Sequence, residues 1–125
     1  MNIKLPKNTE RFLWTKHAVE KMRLYGLSES KVKGVIARPV RIEEGVAVKT
    51  TAVMQRTGSK KHPTEIWVML QMKTLTTNLG SEKVPITVKQ VHIISAWRYP
   101  GISKPREVPM LEDVQAEVLR SLELS

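Results

Sequence analysis

The apolar positions of this chain change their spacing along its length, and each change marks a predicted element. In "TKHAVEKMRLYG", Thr15 to Gly26, the residues Ala18, Val19, Met22 and Tyr25 recur at helical spacing, with Gly26 as the closing residue. The first ordered element is therefore expected to begin near Asn8 or Thr15. In "SESKVKGVIARP", Ser28 is a good N-cap, although Lys31 stands where a capping box would need Glu or Gln. Val32, Val35 and Ile36 form the stripe of a second helix, and Pro39 stops it.

From Val40 the period shortens to two. "VRIEEGVAVKTTAVMQR" carries β-branched residues at alternating positions around Gly45, which predicts a hairpin or bent strand turning there. "TGSKKHPT" has the composition of a loop, and "EIWVMLQMKTL" is a nearly continuous apolar run, the pattern of a central strand buried on both faces. "TTNLGSEKVP" is a second loop. In the last strand, Ile86 to Tyr99, Ile86 and Val88 share one parity and Val91 and Ile93 the other, so an irregularity is expected near Lys89 or Gln90. Met110, Leu111, Val114, Val118 and Leu122 then line one face of a C-terminal helix. The expectation is an α+β fold: one domain over residues 1–125, with two N-terminal helices, a three- to four-stranded antiparallel sheet and a C-terminal helix over 107–125.

Charge sharpens this picture. The net charge is +9, from 21 Lys and Arg against 12 Asp and Glu, and it is unevenly spread. Residues 1–106 carry 20 against 7, or +13, whereas residues 107–125 carry 1 against 5, or −4. A basic body attracts polyanions through a sequence-independent field, which points to nucleic acid. The two short helices joined at a Gly also fit a helix-turn-helix. The second one offers only Ser30, Lys31, Lys33 and Arg38 outward, with no Asn or Gln to read bases.

Other classes drop out. The chain has no cysteine, which removes disulfides, thiolate nucleophiles and Cys-ligated metals. The N-terminus lacks an apolar leader, and no stretch approaches a membrane span, so a soluble cytoplasmic protein is expected. Its three His are scattered, without a metal-ligand spacing, and phosphate-loop and dinucleotide motifs are absent. Neither metal nor cofactor is expected.

Two segments carry a resemblance. "TKHAVEKMRLYGLSESKVKGVIARP" resembles the opening of small proteins related to the RelE/ParE toxin superfamily, in particular the BrnT toxins and a neighbouring family of unassigned function. The matching positions are His17, Ala18, Glu20 to Arg23, then Gly26, Leu27, Ser28 and Pro39. The closing "IISAWRYP" resembles the end of the last BrnT strand, and together the segments cover about a third of the chain. This chain is longer than BrnT, with an extended middle loop and an acidic terminal segment. The resemblance implies a RelE-like fold and a metal-independent mRNA endoribonuclease toxin, with RNA or the ribosome as partner and an antitoxin protein holding it inactive.

That chemistry needs basic and phenolic groups, because the RNA 2′-hydroxyl is itself the nucleophile. Arg98 offers a bidentate fork for a phosphate at the strand end where the resemblance places a functional residue. Tyr99 is read as a proton donor or base stacker, and Trp97 as a stacking platform. The structural reading of the same trio has Trp97 plugging the core while Arg98 and Tyr99 cap a sheet edge. His17 and Lys21 share one helix face, as a base with its electrostatic partner or as a packed His. His92 faces an RNA laid across the sheet or is a half-buried structural His. Lys60, Lys61 and His62 form a phosphate clamp or a solvated turn. Lys21, Arg23 and Lys89 complete the nucleic-acid candidates, beside Arg98, Tyr99, His92 and His17 as catalytic ones. Two further readings compete: a non-catalytic RNA-, ribosome- or DNA-binding module on the same scaffold, and a protein-interaction or phage-accessory domain.

Overall fold

The computed structural model describes residues 6–9, 11–45, 49–77 and 86–110. Its elements run β1 (Phe12–Trp14), α1 (Lys16–Tyr25), α2 (Glu29–Ala37), β2 (Arg41–Glu44), β3 (Thr51–Gly58), β4 (Pro63–Thr77) and β5 (Ile86–Pro100). Among the described residues this is an α+β arrangement of two helices and one sheet of order β1-β5-β4-β3-β2.

The helices start and stop where their local chemistry dictates. The Thr15 hydroxyl accepts from the Ala18 N–H at the start of α1, and the Ser28 hydroxyl accepts from the Lys31 N–H at the start of α2. At its far end α1 closes in a Schellman turn. Gly26 sits at φ 66°, its N–H bonds Arg23 O, and the Leu27 N–H bonds Met22 O at 2.8 Å. Leu27 is then fully buried, which locks the turn against the core.

The sheet corrects the sequence-based expectation in two respects. It has five strands and is mixed, because β1 pairs parallel to β5 through Phe12–Val91, Leu13–His92 and Trp14–Ile93. A three-residue strand is too short to show a period of two, so no pattern announces it. The irregularity of β5 within the described register lies at Ile94 and Ser95, beyond the expected Lys89 or Gln90. Met69 pairs with Ser95 and Leu70 with Ile93, which leaves one residue of β5 extra. The hairpin β2–β3, the loop before β4 and the central place of β4 agree with expectation. Of the segment expected as a C-terminal helix, residues 107–110 belong to no helix, and residues 111–125 lie outside the described residues.

Alternation along β4 builds two cores. Ile66, Val68 and Leu70 face the helices and pack with Trp14, Ala18, Met22, Leu27, Val32 and Val35. Trp67 and Met69 face the other way and pack with Ala52, Met54, Ile94 and Trp97. Ile93 faces the first core and Ile94 the second, as ordinary alternation gives, and the bulge then returns Ala96 to the first core and Trp97 to the second, each three residues on from its predecessor on that face. The sheet's second face is therefore a buried layer of its own through its middle, overlain by Val108 and Met110.

Candidate functional site

One row across the sheet, Gln55–Ile66–Arg98, ends both helices. The Gln55 amide donates to Gly34 O and Arg38 O at 3.0 Å each, bridging two carbonyls at the C-terminal end of α2. Arg98 Nε donates to Tyr25 O at 2.7 Å and its Nη2 to Gly26 O at 3.4 Å. A guanidinium at the C-terminus of α1 meets both the orphan carbonyls and the negative end of the helix dipole. Arg98 thus has a structural duty on a helix end, where sequence reasoning had weighed a phosphate fork against a sheet-edge cap. The two bonds occupy two of its five N–H donors.

Trp97 is 3% exposed. Its ring lies nearly parallel to Trp67, with centroids 6.2 Å apart and planes at 8°, and its Nε1 donates to Pro109 O at 2.6 Å. The stacking platform expected of Trp97 is corrected accordingly: its ring is engaged within the second core, because the alternation after the bulge turns it inward.

A clasp that the sequence does not signal holds the segment after β5 against this core. Glu65, 1% exposed, accepts from Trp67 Nε1 (3.0 Å), from Ser103 Oγ (2.6 Å) and from the Ser103 N–H (3.2 Å). Arg41 lies 3.7 Å from the same carboxylate and 5.0 Å over the Trp67 ring. Its guanidinium also donates to Glu43, Ser103 Oγ and the carbonyls of Ser103, Lys104 and Glu107. Every N–H of Arg41 is thereby used. Hydrogen bonds from Arg41 hold the Glu43 carboxyl below its ordinary range, helped by the Arg106 N–H and opposed by desolvation.

The four candidate catalytic residues do not converge. Arg98 and Tyr99 are at the end of β5. His17 Nε2 lies 3.1 Å from Ser95 Oγ, at the bulge. His92 is six residues before Arg98, roughly 20 Å away at the usual strand rise. Its Nε2 donates to Gln90 Oε1 at 2.7 Å, and burial, with Lys73 nearby, pushes its pKa down, so the neutral ring is favoured at pH 7.

The nucleic-acid candidates divide as well. Lys60, Lys61 and His62 are exposed on the β3–β4 turn, whose tightness Gly58 permits at φ 84°; a Cβ there would meet His62 O at 2.3 Å. Arg23 is exposed in the last turn of α1, Lys21 is half-buried two residues before it, and Lys89 is exposed toward the other end of β5.

One groove collects several of these residues. Tyr25, Trp97, Arg98, Tyr99, Glu107 and Met110 line a space of about 600 Å³ at the end of β5, within the range of small-ligand sites. The β3–β4 turn belongs to the same end of the sheet, since Thr64 pairs with Pro100 and the Gly101 N–H bonds Pro63 O at 2.8 Å. Tyr25 and Glu107 had no place in the sequence-based site. Tyr25 reads as helix core, and Glu107 enters only because the clasp turns the chain back.

Among the described residues no group of three or more His, Asp or Glu is arranged to hold a metal, and no helix is long and apolar enough to cross a membrane. No protein-family model matches the chain, and no curated protein or solved structure matches it either.

Proposed function

We propose that this protein is a nucleic-acid-binding module, with RNA as its first candidate ligand, that holds the strand chiefly through phosphates and does not cleave it. The observation that carries this reading is a division of labour among the candidate residues. Arg98 caps a helix, Trp97 is in a core, and the two histidines contact Ser95 and Gln90 at separate places. Meanwhile Arg23, Lys60, Lys61, His62 and Lys89 are exposed on a body of charge +13. Phosphate contacts need charge within reach and little exact geometry, whereas proton transfer needs convergent groups.

The RelE-like ribonuclease reading remains as the second proposal, because Tyr25, Arg98 and Tyr99 share one groove and phenols with a guanidinium suit metal-free RNA cleavage. An antitoxin-like partner belongs to that reading.

Titration of labelled single-stranded RNA against salt separates the two. With about four phosphate contacts, affinity falls with a slope near −3, so raising salt from 50 to 200 mM weakens binding roughly fiftyfold, and the RNA stays intact in EDTA. RNA fragments that disappear in the Arg98→Ala/Tyr99→Ala variant would transfer the conclusion to the nuclease. Inducible expression of both forms, scoring growth and mRNA integrity, asks the same question in a cell.

A further inference from the structure

The groove at the end of β5 differs in kind from the basic surface around it. Its lining includes one cationic residue, Arg98, and one acidic residue, Glu107, whose formal charges sum to zero. A phosphate entering there would meet Glu107 as well as a guanidinium already bonded to two helix carbonyls. Phosphates belong outside, on Lys60, Lys61 and His62, which stand at the same end of the sheet.

The walls themselves suit a flat, uncharged group. Tyr25 and Tyr99 are half-buried phenol rings packed against the second core, and Met110 and the Trp97 edge supply further apolar surface. Single-stranded nucleic acid presents such a group in each unstacked base, and aromatic side chains are the usual platform for it.

The two charged groups then choose among bases. Guanine presents two adjacent N–H donors, N1 and N2, which match the two oxygens of a carboxylate. On its other edge O6 and N7 match the fork of an arginine. Uracil offers one donor between two carbonyls, which a carboxylate repels. We infer that the groove is a subsite for a single unstacked guanine of a single-stranded nucleic acid, with Glu107 on its N1 and N2 and Arg98 on its O6 and N7, while the strand's phosphates pass the β3–β4 turn. This rests on the nucleic-acid-binding reading above and names the base that such a site selects.

The test uses fluorescein-labelled nonamers of uridine with G, inosine or U at the centre, and their deoxy counterparts with T for U, measured by anisotropy at 50 mM salt. Inosine lacks only the N2 amino group. Wild-type protein is expected to bind the G-centred strand about tenfold more tightly than the U-centred one, with inosine, which keeps N1–H, O6 and N7, between the two. Glu107→Gln, at an exposed side chain, is expected to abolish that difference, with the U-centred strand gaining affinity because the carboxylate that repels its carbonyls is gone. Tyr99→Ala is expected to weaken all strands roughly tenfold or more through lost stacking. Lys60→Ala/Lys61→Ala is expected to weaken all of them equally and to lower the salt slope by one to two. Whichever sugar series shows the guanine step identifies the strand as RNA or DNA.

Binding with no guanine step, or a guanine step that survives Glu107→Gln in a folded protein, overturns the subsite and leaves the phosphate-binding reading standing. No binding of any strand at 50 mM salt overturns both.

Discussion

The two faces of the sheet are sealed by different means. The first is covered by α1 and α2, whose apolar stripes are set by residues three and four apart and whose ends are set by Thr15, Gly26 and Ser28. The second buries Trp67, Met69, Ile94 and Trp97, and the irregular segment after Gly101 is bound across it by Glu65, Arg41 and Ser103. A helical cover is built from near neighbours, whereas an irregular cover needs anchors for its backbone carbonyls and N–H groups, because these have no ladder to join. Arg41 supplies such an anchor to three carbonyls of that segment. The groove forms where the two seals meet, with Tyr25 contributed by one and Glu107 by the other.

This contrast predicts unequal responses to mutation. Glu65→Ala strikes the second seal and strands three donors, Trp67 Nε1, Ser103 Oγ and the Ser103 N–H, so a loss of about 3 kcal/mol is expected. Hydrogen exchange should accelerate at residues 101–110 while α1 and α2 keep their protection. Uniform acceleration across both faces would show that the seals are one cooperative unit. Gly26→Ala strikes the first seal at a left-handed position and is expected to cost about 1 kcal/mol in denaturant titration, without faster exchange at 101–110.

The smallest effect concerns pH. His92 has a pKa below its ordinary 6.5 in the folded chain, so the unfolded chain takes up the proton first as pH falls. Its contribution is present above pH 6.5 and is lost as pH drops through the lower folded value. His92→Gln should therefore lessen the decline in stability between pH 7 and pH 5. An unchanged pH profile would assign that decline to other groups. Glu43 follows the same sign at lower pH: its contribution is present above 4.5 and fades as acid protonates it.

Much of the scaffold was legible in the chain because its signals are local. Ser28 and Pro39 bracket α2, Gly45 lies in the β2–β3 connection, and the run from Glu65 to Leu75 reads directly as the central strand. The irregularity expected at Lys89 or Gln90 is absent, since the register runs unbroken from Ile86 to Ile93, and the bulge lies after it at Ile94. The phase break shows in the spacing of three between Ile93 and Ala96 in one core and between Ile94 and Trp97 in the other. Of the site, Arg98 and Tyr99 were located correctly at the end of β5, yet Arg98 was read without the helix end it caps. Tyr25 is 73 residues away, and no spacing rule connects them.

By itself, then, the sequence determined the helices, the hairpin, the central strand, the basic body and the absence of cysteine chemistry, all of which depend on composition or on residues within a few positions of one another. Tertiary structure alone decided the parallel β1, the burial of Trp97, the clasp joining Glu65 to Ser103 over 38 residues, and the meeting of Tyr25, Arg98, Tyr99 and Glu107 in one groove. Strand register and chain reversal create those encounters, and each depends on side chains that become neighbours only after the sheet has formed.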